Sequence, residues 1–134
     1  MKISVDIFKQ IIKHSRSRET SGDPEHWTDN NPSYRQCLVT ALLANEFLWL
    51  DTHAEKVTLE SNYHGYHYFN KNQQNIAIRF CEEQFAYEKI LAKTPERPLN
   101  QDKIDIIFAW NPEVKHKYEI LKKKFEEEMQ KVFR

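Results

Sequence analysis

Cys37 and His67 are the two residues of this chain whose types and spacing fit a shared reaction. Cys37 closes the stretch Pro32-Ser33-Tyr34-Arg35-Gln36-Cys37 and stands just before the apolar run Leu38-Val39-Thr40-Ala41-Leu42-Leu43-Ala44. A thiol in the first turn of a buried helix meets backbone N–H groups and the positive end of the helix dipole, and both favour thiolate over thiol. His67 follows inside the strand-like Tyr66-His67-Tyr68-Phe69-Asn70. In a Cys-His pair the imidazole takes the thiol proton and later gives it to the leaving group. The implied chemistry is attack on an amide or ester carbonyl, as in a hydrolase or an acyl-transferase. The backbone N–H of Cys37 is the natural donor to the oxyanion.

Each residue also has a plain structural reading. A lone Cys on an apolar helix is most often core, and a His between two Tyr on a strand is most often a satisfied structural residue. Cys81, beside Glu82-Glu83 with Arg79 as its nearest cation in sequence, reads as structural. His64 lies in a turn before Gly65 and reads as solvated. With His67 it has a ligand-like spacing, but no second Cys or His pair completes a metal site, so neither metal nor cofactor is expected.

The elements that must position this pair follow from periodicity. Residues 4–16 read as a helix, with Val5, Phe8, Ile11 and Ile12 at helical spacing behind a Ser4 cap. Residues 17–33 form a polar loop whose large apolar residue, Trp27, should dock into the body. The helix carrying Cys37 spans 33–49 and is apolar nearly all round, which makes it central. Three strands are expected over 56–61, 66–70 and 75–80, the last two as an antiparallel hairpin. A short helix is expected over 82–92, and Ile104 to Phe108 fits strand or helix equally. Asn111-Pro112 signals a helix start. From there Val114, Tyr118, Leu121, Phe125, Met129 and Val132 form one apolar seam. The expected class is α+β in a single domain over 1–134: a small antiparallel sheet packed on a central helix with the cysteine near its N-terminus, and on a long C-terminal helix.

Composition bounds the setting. The 134 residues are 40% hydrophobic and 13% aromatic, enough for one aromatic-rich core. Twenty basic residues balance twenty acidic ones, which argues against a nucleic-acid or anionic-membrane partner. Two cysteines cannot build a disulfide framework, so reduced thiols and a cytoplasmic location are expected. The start Met1-Lys2-Ile3-Ser4-Val5 reads as no secretory leader, and no apolar run approaches a membrane span.

Trp27 followed by Asn31-Pro32 and then Gln36-Cys37-Leu38-Val39-Thr40-Ala41-Leu42 resembles the "W…NP…QC-x-V-T-A-L" block of the bacterial YunG-like proteins. His67-Tyr68-Phe69-Asn70 is similar to that family's "H-Y-W-N" strand, Gln84-Phe85 to the end of its "D-x-T-x-x-Q-F" pattern, and Asn111-Pro112 through Tyr118, Ile120 and Leu121 to its closing "NP…RY-x-x-L" helix. The four blocks occur in order over nearly the whole chain. The resemblance implies a papain-like or transglutaminase-like arrangement of Cys37 and His67. By analogy with the glutamine such enzymes place before their cysteine, Asn31 is a candidate second oxyanion donor.

This chain departs from the pattern in places. Arg35 stands where the family tends to have Gly, and Cys81 stands at the pattern's Thr position. Arg79 stands where the pattern has Asp, the position of the expected acid for the pair. Arginine has only donors, so it cannot orient the imidazole as a carboxylate does. Asn70 is a poor substitute, because residues three apart on a strand point to opposite faces. Hairpin register decides whether Arg79 meets His67: a turn of 71–74 puts Ile78 opposite His67, and a turn of 71–75 puts Arg79 there. Three readings follow: a thiol enzyme acting on a protein or small-molecule amide or ester, a degenerate binding or inhibitory module on the same fold, and an interaction protein whose final helix pairs with a partner.

Overall fold

The computed structural model describes residues 3–28, 30, 35–59, 64–81, 90–93 and 95–133, the side chains of 59, 64, 65 and 90–93 excepted. Among these residues the chain forms α1 (Val5–Ser15), one 3₁₀ turn (Arg18–Thr20), α2 (Cys37–Leu48), β1 (Asp51–Leu59), β2 (His64–Lys71), β3 (Ala77–Ile78), β4 (Ile90–Lys93), β5 (Arg97–Leu99), α3 (Gln101–Trp110) and α4 (Pro112–Val132). The strands make one antiparallel sheet in the order β3-β2-β1-β4, with β5 also paired to β1. The class is α+β.

Local chemistry explains most boundaries. Ser4 caps α1 by accepting from the Ile7 N–H at 3.1 Å, and Asn100 caps α3 by accepting from the Lys103 N–H at 2.9 Å. The ambiguous segment 104–108 is therefore helix, because a cap at Asn100 extends it into a full amphipathic unit. Helix α2 begins at Cys37, later than the expected residue 33, because Arg35 has φ 57° and leaves the helical region. Trp49, with φ 58°, ends it in a left-handed C-cap.

Strand β1 starts at Asp51, five residues before the expected Lys56, because its first half pairs with both β2 and β5. His64 is in strand β2 opposite Thr58, which corrects its placement in a turn. The 75–80 strand shrinks to Ala77–Ile78. Asn72 closes the hairpin instead, its Oδ1 accepting from the Gln74 and Ile76 N–H groups at 3.0 Å each. The end of the expected 82–92 helix is strand β4, which completes the sheet edge beside β1; residues 82–89 lie outside the described residues, as does the Gln84-Phe85 block.

The core is held by rings from separate elements. Phe8 of α1 packs on Phe80 at 4.8 Å and on Phe125 of α4 at 5.1 Å, and Phe47 of α2 packs on Phe125 at 4.8 Å. Leu43, Leu121, Phe8 and Phe125 have no exposure. Helix α2 buries seven of its residues and packs on β2, β1, α1 and α4, as its apolar circumference requires. The α4 seam is buried at Leu121 and Phe125 but ends before Val132, which is 51% exposed. Trp27 is buried as expected, with the Arg18 guanidinium 5.7 Å from its ring. Among the described residues no helix is long and apolar enough to cross a membrane.

A polar latch joins α2 to α4. Burial pushes the Glu46 carboxyl up, but hydrogen bonds from Lys122 at 2.5 Å and from the Tyr118 hydroxyl outweigh it and hold Glu46 below its ordinary value. Burial, and then Glu46, push the Tyr118 hydroxyl far above its ordinary range. A depressed carboxyl adds stability above its unfolded-state value, and that stability is lost as pH falls through the depressed folded value.

Two outcomes follow for the fold. Phe125→Ala empties the junction of α1, α2 and α4 and should cost about 3–5 kcal/mol, seen as a lower urea midpoint at unchanged slope. Glu46→Gln should cost at most about 1 kcal/mol at pH 7, since the latch is near solvent, and the gap to the parent chain should close as the unfolding series is taken down toward pH 3.

Candidate functional site

Cys37 is the first residue of α2 and half-buried, packed against the main core. The approach to it is anchored by Gln36, which is fully buried. Its Oε1 accepts from the Thr20 hydroxyl at 2.6 Å, and its Nε2 donates to the Ser17 carbonyl at 2.7 Å. The Gly22 N–H donates to the Arg35 carbonyl at 2.8 Å. A Cβ on Gly22 would come 3.3 Å from that carbonyl, a tight approach that leaves little room for a larger residue in the strap. The polar loop thus fixes the backbone that presents the thiol. Asn31 lies outside the described residues.

His67 is 2% exposed and sits on β2 directly opposite Glu55 of β1. Cross-strand pairing brings the two side chains together on one face, with His67 Nδ1 at 3.2 Å from Glu55 Oε1. Arg79 donates from its Nη1 to the same oxygen at 2.8 Å, and this Nη1 is 3.4 Å from His67 Nδ1. Because arginine only donates, Glu55 meets it as an acceptor carboxylate. A proton on His67 Nδ1 directed at Glu55 would leave Nε2 as the basic nitrogen.

Phe69 forms the apolar backing of this cluster. It lies 6.3 Å from the His67 ring and 5.8 Å from the His53 ring, both stacked, and Arg79 sits over it at 4.1 Å. Burial lowers the affinity of His53 for a proton, helped by the charge of Lys71 and opposed by Asp51. Arg79 thus reaches His67, in a register neither expected turn described. Asn70 pairs with Ile78 and Lys71 with Ala77, so one further step sets Arg79 beside Phe69, diagonal to His67 and on its face.

Sequence reasoning singled out Cys37, His67 and Arg79 but missed Glu55. The signal was present: Val57 faces inward, and alternation carried two residues back points Glu55 inward as well. Cutting the strand at Lys56 hid it. Among the described residues no group of three or more His, Cys, Asp or Glu could hold a metal ion. Cys81 is buried and accepts from Arg16 Nη1 at 3.4 Å, a cation from the end of α1 rather than the sequence-near Arg79.

Helix α2 and β2 are joined at one carbonyl. Asn70 Nδ2 donates to the Ala41 carbonyl at 3.0 Å, and the Thr52 hydroxyl approaches the same oxygen at 3.5 Å. Cys37 is one turn back along the helix from this junction, about 6 Å, and His67 is about 10 Å back along the strand.

The site yields a stability test. Arg79→Met leaves the Glu55 carboxylate buried without its cation and should cost about 3–5 kcal/mol. Adding Glu55→Gln to that variant should recover part of the loss in the same denaturation measurement.

Residues 4–130 match the family model described as YunG protein. No curated protein and no solved structure matches the chain.

Proposed function

The chain belongs to the YunG family, and from that premise we propose that it is a papain-like or transglutaminase-like thiol-enzyme-type protein, a hydrolase or acyl-transferase acting on an amide or ester. The observation that carries this reading is the Glu55–His67 pair. An imidazole whose Nδ1–H is held by a carboxylate presents Nε2 as a base and is stabilised when it becomes imidazolium. The acid that position 79 lacks comes from the neighbouring strand, and Arg79 supplies the cation beside it. Cys37, at the first position of a long apolar helix, has the setting in which a thiolate is favoured.

In this reading the Cys37 thiol gives its proton to His67 Nε2, and the sulfur attacks the carbonyl carbon. The oxyanion so formed is met by the Cys37 backbone N–H. Collapse breaks the bond to the amine or alcohol, which leaves with the proton held by His67. Water, or a second nucleophile in an acyl-transferase, then loses its proton to His67 and takes the acyl group from sulfur. The thiol is restored when His67 returns that proton. Glu55 and Arg79 act as positioning residues.

One observation favours a second reading, a non-catalytic binding or inhibitory module on this fold. Asn70 turns its side chain to α2, and residues three apart on an unbent strand face opposite ways. His67 then points away from the helix, and Glu55, His67 and Arg79 are a structural network held by contacts to one another.

Iodoacetamide alkylation followed by mass spectrometry separates the two. The enzyme reading expects Cys37 to react at least tenfold faster than Cys81, with an apparent pKa well below the roughly 8.5 of a free thiol. It also expects Glu55→Gln to slow Cys37 alone. Equal, slow alkylation of both thiols in a folded chain leaves the second reading standing.

A further inference from the structure

Strand alternation gives the sheet a second functional face. Glu55 and His67 share one side, so the flanking pairs Ala54–Tyr68 and Lys56–Tyr66 project from the other. There, a groove of about 500 Å³ opens between the sheet, β5 and α3. This is within the range of about 300–1,000 Å³ typical of small-molecule sites, and too small for a protein surface.

The lining is chemically one-sided. Lys56, Arg97 and Lys103 bring three cations, and the described residues that line the groove include no Asp or Glu. In a chain with equal numbers of acidic and basic residues, this is a local excess. Among the described residues neither Arg97 nor Lys103 takes part in an ion pair. The body of the groove is apolar and aromatic. Tyr66 and Tyr68 stand with ring centroids 6.3 Å apart and tilted by 38°, and Ile106 faces them from α3. Tyr66 is 61% exposed and Ile106 57%, so both present apolar area to an occupant.

We propose that this groove binds a small organic anion: a flat apolar body held between Tyr66, Tyr68 and Ile106, and a carboxylate, sulfonate or phosphate head held by Arg97, Lys103 and Lys56. Charge complementarity selects the head, since Arg97 and Lys103, outside any ion pair among the described residues, repel a cationic ligand and leave a neutral one unanchored. The aromatic walls select the body, since ring faces stack on flat surfaces and bury area at small entropic cost. The groove lies on the face of the sheet opposite Glu55 and His67.

The test uses the full chain and two dyes that share an aromatic body. 8-Anilinonaphthalene-1-sulfonate carries the anionic head, and N-phenyl-1-naphthylamine lacks it. The sulfonate is expected to bind at one site per chain, at least tenfold more tightly than the neutral dye and more weakly as salt is raised. The exposed double variant Arg97→Glu/Lys103→Glu, shown folded by an unchanged unfolding midpoint, should lose at least tenfold for the sulfonate and leave the neutral dye unaffected. Equal affinity for the two dyes, several sites per chain, or sulfonate binding unchanged in the double variant overturns the proposal. So does concentration-dependent self-association in sedimentation that Ile106→Glu abolishes, because the groove is then a contact between copies.

Discussion

A carboxylate inside a sheet survives only if its charge is answered, and Glu55 is answered twice. Arg79 supplies the cation and His67 a polarised N–H, each within hydrogen-bond range of the same oxygen. Leaving an ion in a low-dielectric interior without such partners costs several kcal/mol, more than most single contacts return. The three residues come from β1, β2 and the segment after β3. Their meeting therefore fixes how these strands stack, and Phe69 fills the space beneath them. Whatever chemistry the chain performs, its sheet is built round this balance of charges.

The helical side obeys a different rule. Helix α2 is apolar on nearly every side, so it cannot sit at the surface and must be enclosed by α1, α4 and the sheet. That enclosure brings the start of the helix, and hence Cys37, up against the polar strap through Ser17, Thr20 and Gln36. The strap is tied to the two residues before the helix through the Gln36 side chain and the Arg35 carbonyl. A central helix with a restrained beginning is a rigid mount for a side chain at its first position.

How much of this was visible beforehand depends on where the signal lived. The seam from Val114 to Phe125 and the cap at Ser4 are local patterns, and they predicted helices with nearly the right ends. The antiparallel hairpin was legible from alternation. What stayed hidden was set by contacts distant in sequence. Arg35 adopts its left-handed conformation because its carbonyl meets Gly22, not because of its neighbours. The early start of β1 follows from pairing with β5, some forty-five residues later. The candidate site was half legible for the same reason: the types of Cys37, His67 and Arg79 announced themselves. Glu55 became relevant only once β1 lay beside β2.

The connection over residues 72–76 carries a consequence for how the chain can vary. It holds an odd number of residues between Lys71 and Ala77, and side chains on a strand alternate strictly. A one-residue change there that is taken up by sliding β3 along β2, rather than by the loop, turns Arg79 outward and drives a neighbour into the charge cluster. The hairpin can therefore change length only where its loop absorbs the change, because a slipped register would take the guanidinium away from Glu55.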